Sequence, residues 1–207
     1  MIFNDHSDLS GKHALLSPSQ PYWLNYEAED LERLYFNSYA QSIGTSTHDL
    51  AQGLIGEGLK LRKNDQNVLM HHLLSNGYPK EVIDIDRLFP NLRQYVNDAI
   101  GFRMTTEQPL IFSPKCFGTA DAISFRDNTL RIHDLKTGKT PAKIEQLMIY
   151  AALFCLEYNI KPIDISIELC IYQDGEVLYH NPEPQEITDI MHTIIEAASF
   201  LDKIRRR

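Results

Sequence analysis

Asp121, Asp134 and Lys136 are the residues whose types and spacing suggest chemistry. They lie on two β-rich runs, 116–126 and 129–136, which flank Asp127-Asn128, a pair suited to a tight hairpin turn. A symmetric turn pairs the runs outward from Arg126 and Thr129, placing Asp121 opposite Asp134 and Thr119 opposite Lys136. Directly opposed residues share a face, with Cβ atoms roughly 5 Å apart. Carboxylates that close repel unless a cation lies between them. Lys136, two residues beyond Asp134, projects from the same face. Two acids converging on a divalent cation, with an ammonium beside them, suit hydrolysis of a phosphodiester.

The neighbours weigh against an ordinary solvated acid pair. Leu130 and Ile132 share the face of Asp134, and Phe117, Ile123 and Phe125 share that of Asp121. Such a face reads as buried, and charges placed there need partners. A bound metal together with Lys136 meets that need; a plain Asp–Lys ion pair meets part of it. Next, Pro141 is placed to open a helix over 141–158. Ile144, Leu147, Met148, Ala151, Phe154, Cys155 and Tyr158 form one buried stripe, with Lys143, Gln146 and Tyr150 at its edge. Gln146 and Tyr150 stack on adjacent turns and can face a substrate or serve as boundary residues. Glu107, before the apolar run 109–112, is a candidate third carboxylate. His48, on a helix capped by Ser46, reads either as a metal neighbour or as a packing residue.

These residues resemble the PD-(D/E)XK nuclease superfamily, in its RecB-like branch. The matching segments are Gly118-Thr119-Ala120-Asp121, Asp134-Leu135-Lys136-Thr137-Gly138 and the pair Gln146 and Tyr150. Gly44-Thr45-Ser46-Thr47-His48 fits the N-terminal helix on which such enzymes commonly place a histidine. His13 to Ser19, followed by Trp23-Leu24-Asn25, is similar to the start of small phage-encoded RecB-like nucleases. The resemblance implies a restriction-endonuclease-like core, an α/β fold whose central mixed sheet is flanked by helices, with a helical N-terminal half. It implies Mg²⁺ or Mn²⁺ held by Asp121, Asp134 and the Leu135 carbonyl, with His48 as a further ligand; Glu107 stays a candidate from its own place in the sequence. It implies that Lys136 handles the attacking water, oriented with the help of Gln146 and Tyr150. The implied activity is a DNA exonuclease that processes single- or double-stranded ends in phage-type recombination, repair or replication. Implied partners are DNA, a single-strand annealing or other recombination protein, and further copies of the chain. Two other classes stay open: a catalytically degenerate fold that only binds nucleic acid or a recombination protein, and a structure-specific endonuclease. The chain departs from its relatives at Tyr26, where many carry cysteine, and at Gln52, where an acid often follows the histidine. An iron–sulfur cluster takes four thiolates. The chain has three cysteines, so no cluster is expected.

Length and composition set the frame. A chain of 207 residues suits one domain. Its segments read as a mainly helical cleft wall over 1–105, a sheet and helix bearing the site over 106–180, and a C-terminal helix with a basic tail over 181–207. There is no long apolar run and no signal-peptide pattern, and three unpaired cysteines suit reducing surroundings. The expectation is a cytoplasmic protein, bacterial or in a phage-infected host, without a membrane partner. The net charge of −8 argues superficially against nucleic acid. Local charge matters more. Residues 126–143 carry five cations against two anions, and the tail from Lys203 to Arg207 is basic. Gly138-Lys139-Thr140 looks like the end of a phosphate-binding loop, but the full pattern needs glycine at 133, where His133 stands. His133 reads as structural or solvent-facing, and His71 and His72 as surface residues.

The elements that must position these residues follow from periodicity and turn signals. Helices are expected from Pro18-Ser19, over 28–42, from Ser46 towards Leu61 after a break at Gly44, and over 65–76 and 91–104. The regions of Pro79 and Pro90 read as connectors, and residues 1–17 as irregular. Strands are expected over 107–112, 116–126, 129–136, 163–172 and 176–180, with Pro182 and Pro184 preceding a last helix that runs to about 204.

Overall fold

The computed structural model describes residues 14–205. The expected irregular segment 1–17 lies mostly outside them, as do the last two residues of the basic tail. Near the start, Pro21–Asn25 forms a 3-10 turn rather than a longer helix, and Trp23 donates its indole N–H to the Ser17 carbonyl at 3.0 Å.

Helix α1 runs unbroken over Ala28–Glu57. Glu27 and Asp30 form a reciprocal capping box at its start, and Gly58 ends it in the left-handed conformation. Gly44 therefore does not split the segment. A mid-helix glycine costs roughly 1 kcal/mol relative to alanine, and here it makes room. A Cβ at Gly44 would stand 2.7 Å from Thr137 Oγ1, so the missing side chain lets α1 lie against the segment after Lys136. Helix α2, Gln66–Ser75, docks on α1 through His72, whose Nε2 lies 2.9 Å from the Ser46 carbonyl and 3.1 Å from its hydroxyl. His72 is thus a half-buried tie, while His71 is exposed. Helix α3 spans Ile85–Gly101 and contains Pro90, which had read as a connector. Asp84 caps it by accepting the Arg87 amide, and a dense apolar stripe through Leu88, Leu92, Tyr95, Val96 and Ala99 holds it despite the lost proline amide.

Five strands form one sheet in the order of the chain: β1 Thr105–Ser113, β2 Cys116–Arg126, β3 Thr129–Leu135, β4 Ser166–Gln173 and β5 Glu176–His180. β3 and β4 are parallel and the other neighbours antiparallel, which makes the sheet mixed. Asp127 and Asn128 both adopt positive φ, 50° and 55°, as a two-residue hairpin turn of matching twist requires. The resulting register pairs Arg126 with Thr129 and continues inward to Ala122 with His133.

The parallel crossover carries helix α4, Glu145–Glu157. It starts four residues later than Pro141 suggests. Gln173 holds the preceding loop in an irregular path, accepting the Ala142 amide at 2.9 Å and donating to the Gly138 and Thr140 carbonyls at 2.7 and 2.8 Å. Helix α5 closes the chain over Pro184–Arg205.

The fold is an α/β arrangement with two apolar layers. One joins α1–α3 to the sheet through Ala122, Leu135, Cys170 and Tyr172. The other joins α4 and α5 to it through Leu110, Ala120, Ile132 and Ile171. Lying between the sheet and α5, α4 buries Ala152 and Leu153 besides the expected stripe, while Tyr158 stays exposed.

Candidate metal centre

The centre forms where β2 stops following β3. Ala120 belongs to the α4 layer and Ala122 to the α1 layer, so the alternation of faces breaks between them, at Asp121. The ladder's last pair is Ala122 with His133, one short of the expected Asp121–Asp134 pair. Beyond it the Leu135 amide donates to Asp121 Oδ2 at 3.2 Å, so a side chain replaces the main-chain acceptor. The Lys136 amide continues to β4, bonding the Tyr172 carbonyl at 2.9 Å. The ladder thus ends just short of the two acids, whose carboxylates still act on each other. Asp134 follows Leu130 and Ile132 on the α4 side, while Asp121 turns toward α1 and meets His48, with Nδ1 to Oδ2 at 3.4 Å. Phe117, expected on a buried face, is 66% exposed.

Glu107 joins them from β1. Its φ of 50° inside a strand is a strained conformation for a non-glycine residue, and the flanking pairs, Thr106 with Ala122 and Gln108 with Ala120, place it across from Asp121. One ligand atom each from His48, Glu107 and Asp121 all lie within 4.8 Å of one another. One imidazole nitrogen and two carboxylate oxygens, from three separate elements, can hold a divalent cation.

Asp134 stands beside this group, only 2% exposed. Its Oδ1 accepts from Lys136 Nζ at 3.1 Å. Its Oδ2 is 3.0 Å from the same nitrogen but off the line of a hydrogen bond, and so is left as a buried oxygen with no hydrogen-bond donor. Such an atom is costly to bury unmet. Lys136 also donates to Gln146 Oε1 at 3.1 Å, and Gln146 Nε2 donates to the Tyr150 hydroxyl at 3.4 Å. Tyr150 fits because Gly118 has no side chain; a Cβ there would come within 2.8 Å of the ring. The sequence pairs Gln146 with Tyr150 and Asp134 with Lys136 thus meet as one connected row.

Burial, then the Asp134 carboxylate, push the Asp121 carboxyl up to about 6; His48, the Leu135 amide and Lys136 pull it the other way. Tyr95 of α3 lies in the α1–α3 apolar layer, yet it feels the charge of this centre. Burial, followed by the charges of Asp121, Asp134 and Glu107, raises its phenol well above the ordinary range. His133 faces the α1 layer and is structural rather than solvent-facing. Its Nδ1 lies 3.0 Å from the Tyr172 hydroxyl, which donates to Asp98 at 2.9 Å. Burial, then Arg131, lowers it to about 4. Arg131 itself is engaged, 2.7 Å from Glu168 and 4.7 Å above the Phe102 ring, so it drops out of the basic track. Lys139 and Lys143 remain exposed. A cavity of about 690 Å³, lined by Phe36, Arg87, Thr137 and Lys139 among others, opens directly after Lys136.

Residues 13–174 match the model of a family described as "Protein of unknown function (DUF2800)". The chain belongs to that family. No curated protein matches it. The matched span includes every residue of the candidate centre and ends at the close of β4. Among the described residues no helix is long and apolar enough to cross a membrane.

Proposed function

We propose that the chain is a divalent-metal-dependent nuclease of the PD-(D/E)XK kind, cutting DNA phosphodiesters, and that it works as an exonuclease on DNA ends. The observation that carries this reading is the meeting of two arrangements. A cluster of His48, Glu107 and Asp121 stands beside an ammonium, that of Lys136, which Asp134 and Gln146 hold in place. Binding nucleic acid calls for no such concentration of acids, because carboxylates repel a phosphate backbone unless a cation intervenes.

The residues fit a metal on their own terms. Asp134 Oδ2 is buried without a hydrogen-bond donor, and Asp121 is held partly against its own ionisation by Asp134. A cation between them removes both costs. Asp121, Asp134 and Glu107 would supply hard oxygen ligands suited to Mg²⁺, with the Leu135 carbonyl as a further one, and His48 would shift preference toward Mn²⁺. Such an ion, when bound, polarises a phosphate oxygen and acidifies water. The chain's own residues do the rest. Lys136 is 32% exposed at its side chain, so its ammonium reaches both Asp134 and an incoming phosphate. It stabilises charge that grows on the phosphate and orients the attacking water. Gln146, braced by Tyr150, keeps that ammonium aimed. No covalent intermediate with the protein is required.

The decisive experiment incubates the protein with end-labelled single- and double-stranded DNA and with covalently closed circles, in Mg²⁺, Mn²⁺ or chelator. Metal-dependent shortening of linear DNA with circles left intact supports the exonuclease reading. Cut circles would make it an endonuclease, and DNA bound but never cut would make it a binding module.

A further inference from the structure

The β1–β2 hairpin carries an apolar strip that leads straight out of the candidate centre. Leu110, Phe112, Cys116 and Ala120 join the α4 layer, and Gly118 lies against Tyr150. Alternation then puts Pro109, Ile111, Phe117 and Thr119 on the opposite face, the side on which Glu107 and Asp121 meet His48. Phe117 and Ile111 are directly opposed, Pro109 and Thr119 are the next pair inward, and the metal-type acids follow. All four are exposed, Phe117 at 66% and Ile111 at 48%. The arm presenting them is held firmly: Lys115 at its tip pairs with Asp202 of α5 at 2.5 Å, and Phe112 and Cys116 are anchored in the α4 layer.

We propose that Phe117 is a stacking platform for a base of the nucleic-acid strand whose phosphate lies at the centre. This rests on the nuclease reading and adds how the strand is held. Phe117 lies four strand steps from Asp121, about 14 Å at roughly 3.4 Å per residue. That is the reach of a few nucleotides. An unpartnered ring on a rigid arm, with a hydroxyl from Thr119 between it and the acids, suits a strand whose bases are unpaired and whose backbone points to the cation. Pairing with a protein strand fits less well, since the Ile111 amide on the open edge of β1 is already taken by the Glu157 carboxylate at 2.8 Å. The occupant is thus single-stranded nucleic acid, or the frayed end of a duplex.

The test measures binding of short single-stranded DNA in Ca²⁺, a cation that suits oxygen ligands, with one 2-aminopurine stepped along the oligonucleotide. Stacking on Phe117 should quench the probe at one position. Phe117→Ala should abolish that quench and weaken binding roughly 5- to 150-fold, the range of a lost base–aromatic stack. Phe117→Trp should retain both. The melting temperature of Phe117→Ala should match wild type, because the ring is exposed. Wild-type affinity and quenching in Phe117→Ala would overturn the platform while leaving the nuclease reading intact. A wild-type protein that neither binds nor cuts DNA would remove that reading and the platform with it. Loss of self-association in Phe117→Ala, with DNA binding unchanged, would assign the strip to a second copy and overturn the proposal.

Discussion

Asp121→Asn is expected to make the metal-free protein more stable and the metal-bound protein no better. In the fold the Asp121 carboxyl ionises near 6 instead of 3.8, because it is buried and faces Asp134. The folded state therefore holds this proton more tightly than the unfolded chain. The residue's contribution to stability is full below 3.8 and is lost as pH rises through about 6. The gap between those values is worth up to about 3 kcal/mol at ~1.36 kcal/mol per pH unit. Asp121 is only 20% exposed at its side chain, so solvent screens little of this. Asparagine keeps the shape and can still accept the Leu135 amide, yet carries no charge. In chelator at pH 7.5 the variant should melt higher, by roughly 6–12 °C if the full amount is recovered. The advantage should shrink as pH falls and vanish near pH 4. With saturating Mn²⁺ the order should reverse, since wild type gains stability from an ion that the variant holds poorly. Calorimetry across pH, with and without Mn²⁺, measures all of this. A variant that melts below wild type in chelator at pH 7.5 would refute the reasoning and make Asp121 a structural acid satisfied by its hydrogen bonds.

Other outcomes follow from the same geometry. Lys136→Ala should abolish cleavage while Mn²⁺ still binds, as titration calorimetry would show; near-normal turnover would reduce Lys136 to the partner of a structural ion pair. His48→Ala should lower Mn²⁺ affinity and rate together, with partial rescue at high Mn²⁺ and little change in DNA binding in chelator; a loss of thermal stability at unchanged metal affinity would make it a packing residue. Gly44→Ala gains about 1 kcal/mol of helix propensity but crowds Thr137, so activity should fall and Thr137→Ala should restore it in the double variant. Additive effects of those two substitutions would show that the contact does not couple.

Much of this protein was legible in the order of its residues, because the relevant physics is local. The Asp127-Asn128 pair set the hairpin register, since both residues accept the positive φ that the turn demands. The bounds of β2 and β5 and the end of the last helix followed from period-two or helical patterning closed by Gly, Asn and Pro. Gln146 and Tyr150 were one helical turn apart in sequence and remain so in space. Other features depended on partners distant in sequence. Gly44 looked like a break, but its role is set by Thr137, which lies 2.7 Å from where its Cβ would be. Pro90 read as a connector, but the burial of Leu88, Leu92 and Tyr95 outweighs one lost amide. The opposed acids also proved to be a tertiary matter. Strand alternation assumes an unbroken ladder, and the ladder stops at Ala122, where the Leu135 amide takes the Asp121 side chain instead of a backbone carbonyl. Which face Asp121 turned to, and whether Glu107 and His48 could reach it, was decided by how α1, α3 and β1 pack around that gap, a balance of contacts that no local pattern encodes.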